Sequence, residues 1–120
     1  MRFIAPTVFD DVSPDSEIAQ TEVFGPVLSV LRFSDEDEAI RIANSTPYGL
    51  AAYLSSQDVN TVHRMASRLK AGTVWVNGFS ALPPGTPFGG YGQSGYGREG
   101  GKAGLDELLQ IKNVFIGVPG

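Results

Sequence analysis

The 120 residues are 42% hydrophobic and only 18% charged, too apolar for a disordered chain and of a length that suits one domain and excludes two catalytic ones. Thirteen acidic residues against nine Lys and Arg leave a net charge of −4, which argues against a nucleic-acid partner, because a phosphate backbone asks for clustered positive charge. There is no cysteine, so disulfides, thiolate metal sites and a cysteine nucleophile within the chain are excluded together.

Residues 1–6 lack the apolar run of a signal peptide, and no stretch reaches the roughly 20 apolar residues of a membrane span. The expectation is a soluble, cytoplasmic protein with no membrane partner. Residues 2–9 then read as an extended segment carrying Phe3, Ile4, Val8 and Phe9; Pro6 cannot donate to a ladder and sends the strand to a sheet edge. A turn-rich stretch over 10–15 leads to a short helical turn at 16–20, and Gly25-Pro26 stops any continuation. Residues 27–33 are apolar and β-branched enough for a strand. Ser34 is expected to cap the next helix, whose first turn holds Asp35, Glu36 and Asp37, where acidic groups suit the helix dipole. That helix places Ala39, Ile42 and Ala43 on one face, pairs Asp37 with Arg41 four residues on, and ends near Asn44-Ser45-Thr46-Pro47.

A short strand follows at 50–55. Asp58 caps a second helix with Val59, Val62, Ala66 and Leu69 at helical spacing, Arg68 and Lys70 in the last turn and Gly72 as its stop. Residues 73–77 have the composition of a buried strand, 99–109 of a helix and 111–118 of a last strand. Strands alternating with helices predict an α/β fold, a layered sheet with flanking helices, and no internal repeat interrupts the pattern. Residues 81–97 show no regular pattern, and a loop of that length in a compact domain is usually functional or disordered.

Nine of the 15 glycines fall between Gly85 and Gly104. They match G-x-G-x-x-G twice, as Gly90-Gly92-Gly95 and Gly95-Gly97-Gly100, yet the Rossmann turn needs an apolar strand before the first glycine and Pro83-Pro84-Gly85-Thr86-Pro87-Phe88 is none. A P-loop fails as well, since Ala103 follows Gly101-Lys102 where a hydroxyl is required. The favoured reading is that these glycines let a loop run close to other backbone. Gly92-Gln93-Ser94-Gly95-Tyr96 misses the second glycine of a nucleophile elbow, and His63, the only imidazole, reads as a solvated helix residue with no acid at i±3 or i+4 to share a metal. Glu22 is different: it stands in a turn before Phe24-Gly25-Pro26, where a carboxylate has no capping duty, so hydroxyl binding and a plain surface acid both remain open.

Taken in order, Glu22-Val23-Phe24-Gly25-Pro26-Val27, Asn44 with Pro47-Tyr48-Gly49-Leu50, Gly72-Thr73-Val74-Trp75-Val76-Asn77 and Pro87-Phe88-Gly89-Gly90 through Ser94-Gly95-Tyr96-Gly97-Arg98-Glu99 resemble the C-terminal part of the catalytic domain of aldehyde dehydrogenases. The resemblance covers nearly the whole chain. It implies NAD or NADP as the cofactor of the full-length family and an oxidation of aldehyde to carboxylic acid by cysteine attack, hydride transfer and hydrolysis by a glutamate-activated water. It assigns cofactor binding to Glu22, on the nicotinamide ribose hydroxyls, and to Phe24, against the nicotinamide end. It places Phe79, Leu82 and Phe88 near the aldehyde entrance and makes 111–118 an oligomerisation strand. The nucleophilic cysteine, general-base glutamate and Rossmann domain precede the matched region in the family. The chain is therefore expected to hold no catalytic residue, to bind no cofactor alone and to be inactive by itself. The rival expectations are a self-associating interaction module and one half of a split enzyme. Gly92, where the family often has Lys, and Leu109-Gln110-Ile111 depart from its pattern and leave the aldehyde open.

Overall fold

A computed structural model describes residues 3–78, 82–118 and 120. Two βαβ units organise it. In the first, β1 (Thr7–Phe9) runs parallel to β2 (Val27–Ser29) through α1 (Glu17–Gln20), with Thr7 opposite Val27. The ladder starts at the residue after Pro6, as a chain segment lacking that N–H must, and β1 is an edge strand. The predicted strand over 27–33 closes early because β1 offers only three residues to pair with.

In the second unit, β4 (Ala51–Leu54) pairs in parallel with β5 (Thr73–Val76) across α3 (Val59–Arg68). Tyr53 and Trp75, directly opposed in this register, stack with centroids 5.0 Å apart and an interplanar angle of 17°. The helix between these strands is capped as the sequence predicts: Asp58 accepts from the N–H groups of Asn60 and Thr61, at 3.0 and 3.1 Å. Met65 is its buried residue, whereas Val59, assigned to the inner stripe, lies exposed in the first turn. It ends at Leu69, three residues before Gly72, by turning extended.

Between the units, α2 (Glu36–Ala43) takes its cap from Asp35, not Ser34. Ser34 instead gives its N–H and hydroxyl to Glu38, at 2.9 and 2.7 Å, a reciprocal arrangement that uses both residues. Asp37 pairs with Arg68 of α3 rather than with Arg41, which Glu38 takes, and Glu36 grips Arg64 at 2.8 Å. Asp37 thus turns to the facing helix, while Arg41 keeps an intrahelical partner in Glu38. Two residues of β3 (Tyr48–Gly49) and two of β6 (Tyr91–Gly92) form a third, antiparallel ladder, and α4 (Gly101–Asp106) closes the regular structure.

The α/β class holds, with the sheet divided, among the described residues, into three two-stranded ladders. Residues 111–118, expected as a strand, join no ladder, and Ile111, Val114, Phe115, Ile116 and Val118 are exposed; a strand needs a neighbour, and the described residues place none beside them. Only Ile40 and Met65 are buried hydrophobic residues among those described. The radius of gyration is 20.3 Å, against about 14 Å for a compact domain of this length.

Three carboxylates at the helix starts sit below their ordinary range. Arg64 hydrogen-bonding holds Glu36 down, Ser34 does so for Glu38, and the Thr61 hydroxyl with two backbone N–H groups for Asp58. Acids depressed in the folded state stabilise it above their unfolded pKa and lose that contribution as pH falls through the folded value. The far-UV helical signal should therefore be flat from about pH 8 to 6 and decline below about pH 4. A decline centred near neutrality would contradict this origin.

Candidate functional site

Two adjoining clefts meet at Leu50. The first, of about 410 Å³, opens between the turn after α1, the end of α2 and the α3–β5 connection; Glu22, Asn44, Tyr48 and Lys70 border it. Its walls are tied by one side chain. Asn44 donates to the Arg68 carbonyl at 2.9 Å and accepts from the Lys70 N–H at 2.8 Å, so the end of one helix is pinned to the chain leaving the next. The sequence marks Asn44 as a helix end and as part of a motif; no spacing rule announces a cross-helix clasp.

Glu22 forms no hydrogen bond or ion pair with the described residues and lies open to solvent. Two residues on, Phe24 is 94% exposed at φ 51°, a left-handed conformation uncommon for a bulky side chain. The Val27 N–H to Gly25 carbonyl bond, 2.8 Å, and the Thr7 N–H to Pro26 carbonyl bond, 2.8 Å, fix the loop base against β1. An unpartnered carboxylate and a projecting aromatic ring thus share one anchored loop.

The second cleft, of about 400 Å³, is bordered by Phe88, Ser94, Tyr96, Arg98 and Glu99. Phe88 and Glu99 exchange both backbone bonds, at 2.8 and 2.7 Å, closing the glycine-rich segment into a loop. Arg98 lies inside it, donating to the carbonyls of Gly90 and Gly97 at 3.0 and 2.8 Å and resting over the Tyr91 ring. The glycines do allow close backbone approach: a Cβ on Gly72 would overlap the Gly89 carbonyl oxygen, and one on Gly90 the Ser94 carbonyl oxygen. The Ser94 hydroxyl accepts from the Gly49 N–H at 3.1 Å, tying this loop back to β3.

Of the residues singled out by sequence, Glu22 borders the first cleft and Phe24 lies two residues on in the same loop, Phe88 lines the second, and Leu82 is half-buried and lines neither. Phe79 lies outside the described residues. His63 is exposed on α3, and the described residues hold no group of three His, Cys, Asp or Glu placed for a metal. Among them, no helix is long and apolar enough to cross a membrane.

The sequence model of the aldehyde dehydrogenase family matches residues 2–114. A betaine aldehyde dehydrogenase of Brucella anthropi is 53% identical over 114 residues, 95% of this chain and 23% of the relative. An aldehyde dehydrogenase of Emericella nidulans is 54% identical over 112 residues, 93% of this chain and 22% of its own length. Among solved structures, the indole-3-acetaldehyde dehydrogenase AldA of P. syringae, a mutant in complex with NAD+ and IAA, superposes with a TM-score of 0.89 at 45% identity, over 97% of this chain and 23% of that one. The chain thus spans less than a quarter of the relatives it matches.

Proposed function

The chain belongs to the aldehyde dehydrogenase family, and from that premise we propose that it forms the part of an NAD(P)-dependent aldehyde dehydrogenase that holds the nicotinamide ribose and borders the aldehyde entrance. The observation that carries this reading is the pairing, on one anchored loop, of Glu22, unpartnered among the described residues, with a Phe24 held exposed at positive φ. A carboxylate accepts from two neighbouring hydroxyls at once, which suits a ribose diol. A bulky residue kept in a sparsely populated conformation costs about 1–3 kcal/mol and persists where it has a use.

The donor set fits the nicotinamide-ribose end of the cofactor and no more of it. When bound, the nicotinamide accepts the hydride. Glu22 and Phe24 hold and orient that end, while Phe79, Leu82 and Phe88 shape the approach of the aldehyde. The exposed apolar residues of 111–118 pair with a sheet supplied by another chain. The cysteine that attacks the carbonyl in the family's reaction is not among the 120 residues and comes from outside them.

Three results are expected. The purified chain with NAD+ or NADP+ and aldehydes gives no NAD(P)H above a blank, and clear turnover would overturn the reading. Exchanged for the matching stretch of the Brucella anthropi enzyme, it supports dehydrogenase activity; a folded but dead chimera counts equally against it. In that chimera Glu22→Gln should raise the KM for the dinucleotide about five- to tenfold with kcat changed less than about twofold, the signature of lost uniform binding.

A further inference from the structure

At the carboxyl end of β5, the Asn77 N–H makes the last bond of the parallel pair, to the Leu54 carbonyl at 2.8 Å. The backbone then turns left-handed, with Asn77 at φ 54°. Its side-chain amide reaches across to a single residue of the β4–α3 connection: Oδ1 accepts from the Ser56 N–H at 2.8 Å, and Nδ2 donates to the Ser56 carbonyl at 2.7 Å. Both groups of one peptide neighbour are therefore satisfied by one carboxamide. The next residue is Gly78, exposed, with open space where a Cβ would stand.

Asn followed by Gly is the dipeptide in which a backbone nitrogen most easily reaches the side-chain carbonyl carbon, since no Cβ on the following residue hinders it. We propose that Asn77 is a latent deamidation site, held in check by its two-point clasp on Ser56. The Gly78 nitrogen bonds to Cγ of Asn77 and gives up its proton, Nδ2 leaves as ammonia, and the resulting succinimide is opened by water to Asp or isoAsp. One water is consumed and one ammonia released, with no oxidant or reductant. Ring closure requires Cγ to leave Ser56, so both clasp bonds must break first. The product is not neutral for the fold: a carboxylate at 77 has no hydrogen to offer the Ser56 carbonyl, so conversion unlatches the end of β5 from the β4–α3 turn.

The inference stands on the geometry at the end of β5 alone and is independent of the cofactor reading. The 120-residue chain is incubated at about pH 8 and 37 °C, with and without urea, and Asn77 conversion is followed by peptide mass mapping, while hydrogen exchange in the urea-free sample reports the Ser56 amide. In urea, Asn77 should convert well ahead of Asn44, Asn60 and Asn113, whose followers are Ser, Thr and Val. Without urea the Ser56 amide is protected and Asn77 converts at least fivefold more slowly. Conversion equal in both samples, or an unprotected Ser56 amide, overturns the proposal. Asn77→Asp supplies the product directly and should lower Ser56 protection at least fivefold; unchanged protection would overturn the unlatching.

Discussion

Gly72→Ala should lift the glycine-rich loop off the β4–β5 pair, cutting amide protection at Phe88 and Glu99 about 100-fold. Gly72 sits where the chain leaves α3 for β5, donating to the Gly49 carbonyl at 3.1 Å, and its missing Cβ is the space that the Gly89 carbonyl occupies. The obstruction is backbone against backbone, so no side-chain rotation relieves it. Either the loop moves away or the start of β5 does, at a cost of about 3 kcal/mol. Gly97→Ala is the matched control. That glycine lies in the same loop with open space where a Cβ would stand and no positive φ, and the substitution should stay within about 0.5 kcal/mol. Equal protection in both variants would refute the account.

Asn44→Ala should destabilise the junction of α2 with the α3–β5 connection by about 2 kcal/mol. Two backbone groups, the Arg68 carbonyl and the Lys70 N–H, lose their partner together, and Asn44 is half-buried, so water replaces it only in part. Asn44→Asp keeps the acceptor for Lys70 and loses the donor to Arg68, and should recover about half of the loss. Hydrogen exchange at Lys70 reads both variants. If Asp were no better than Ala, the Lys70 bond would carry little of the effect.

The helices were the most legible part of the sequence because their signals are local. Asp58 announces α3 by type and place, and the acidic run opens α2, although choosing Ser34 over Asp35 missed that both act, one as cap and one as the donor to Glu38. Strands β4 and β5 were found within a residue or two from β-branched and aromatic composition. What escaped depends on partners distant in sequence. The bond from Asp37 to Arg68 follows from how two helices face each other, and 111–118 needs a pairing strand that the described residues do not supply. In the candidate site, Glu22 stood out for lacking any capping duty. The Asn44 and Asn77 clasps did not, since an Asn bonded to backbone 21 to 26 residues away leaves no periodicity to read.

The sparse interior governs how this chain comes apart. Heat-capacity change and denaturant slope both scale with the surface uncovered on unfolding. A compact domain of 120 residues releases roughly 1.4–1.8 kcal/mol/K. A chain whose buried apolar side chains, among those described, are Ile40 and Met65 uncovers far less. Its three ladders rest on separate strand pairs, so each opens on its own terms and none enforces the melting of the next. By itself the chain should therefore loosen gradually with heat instead of melting in one sharp, all-or-none step.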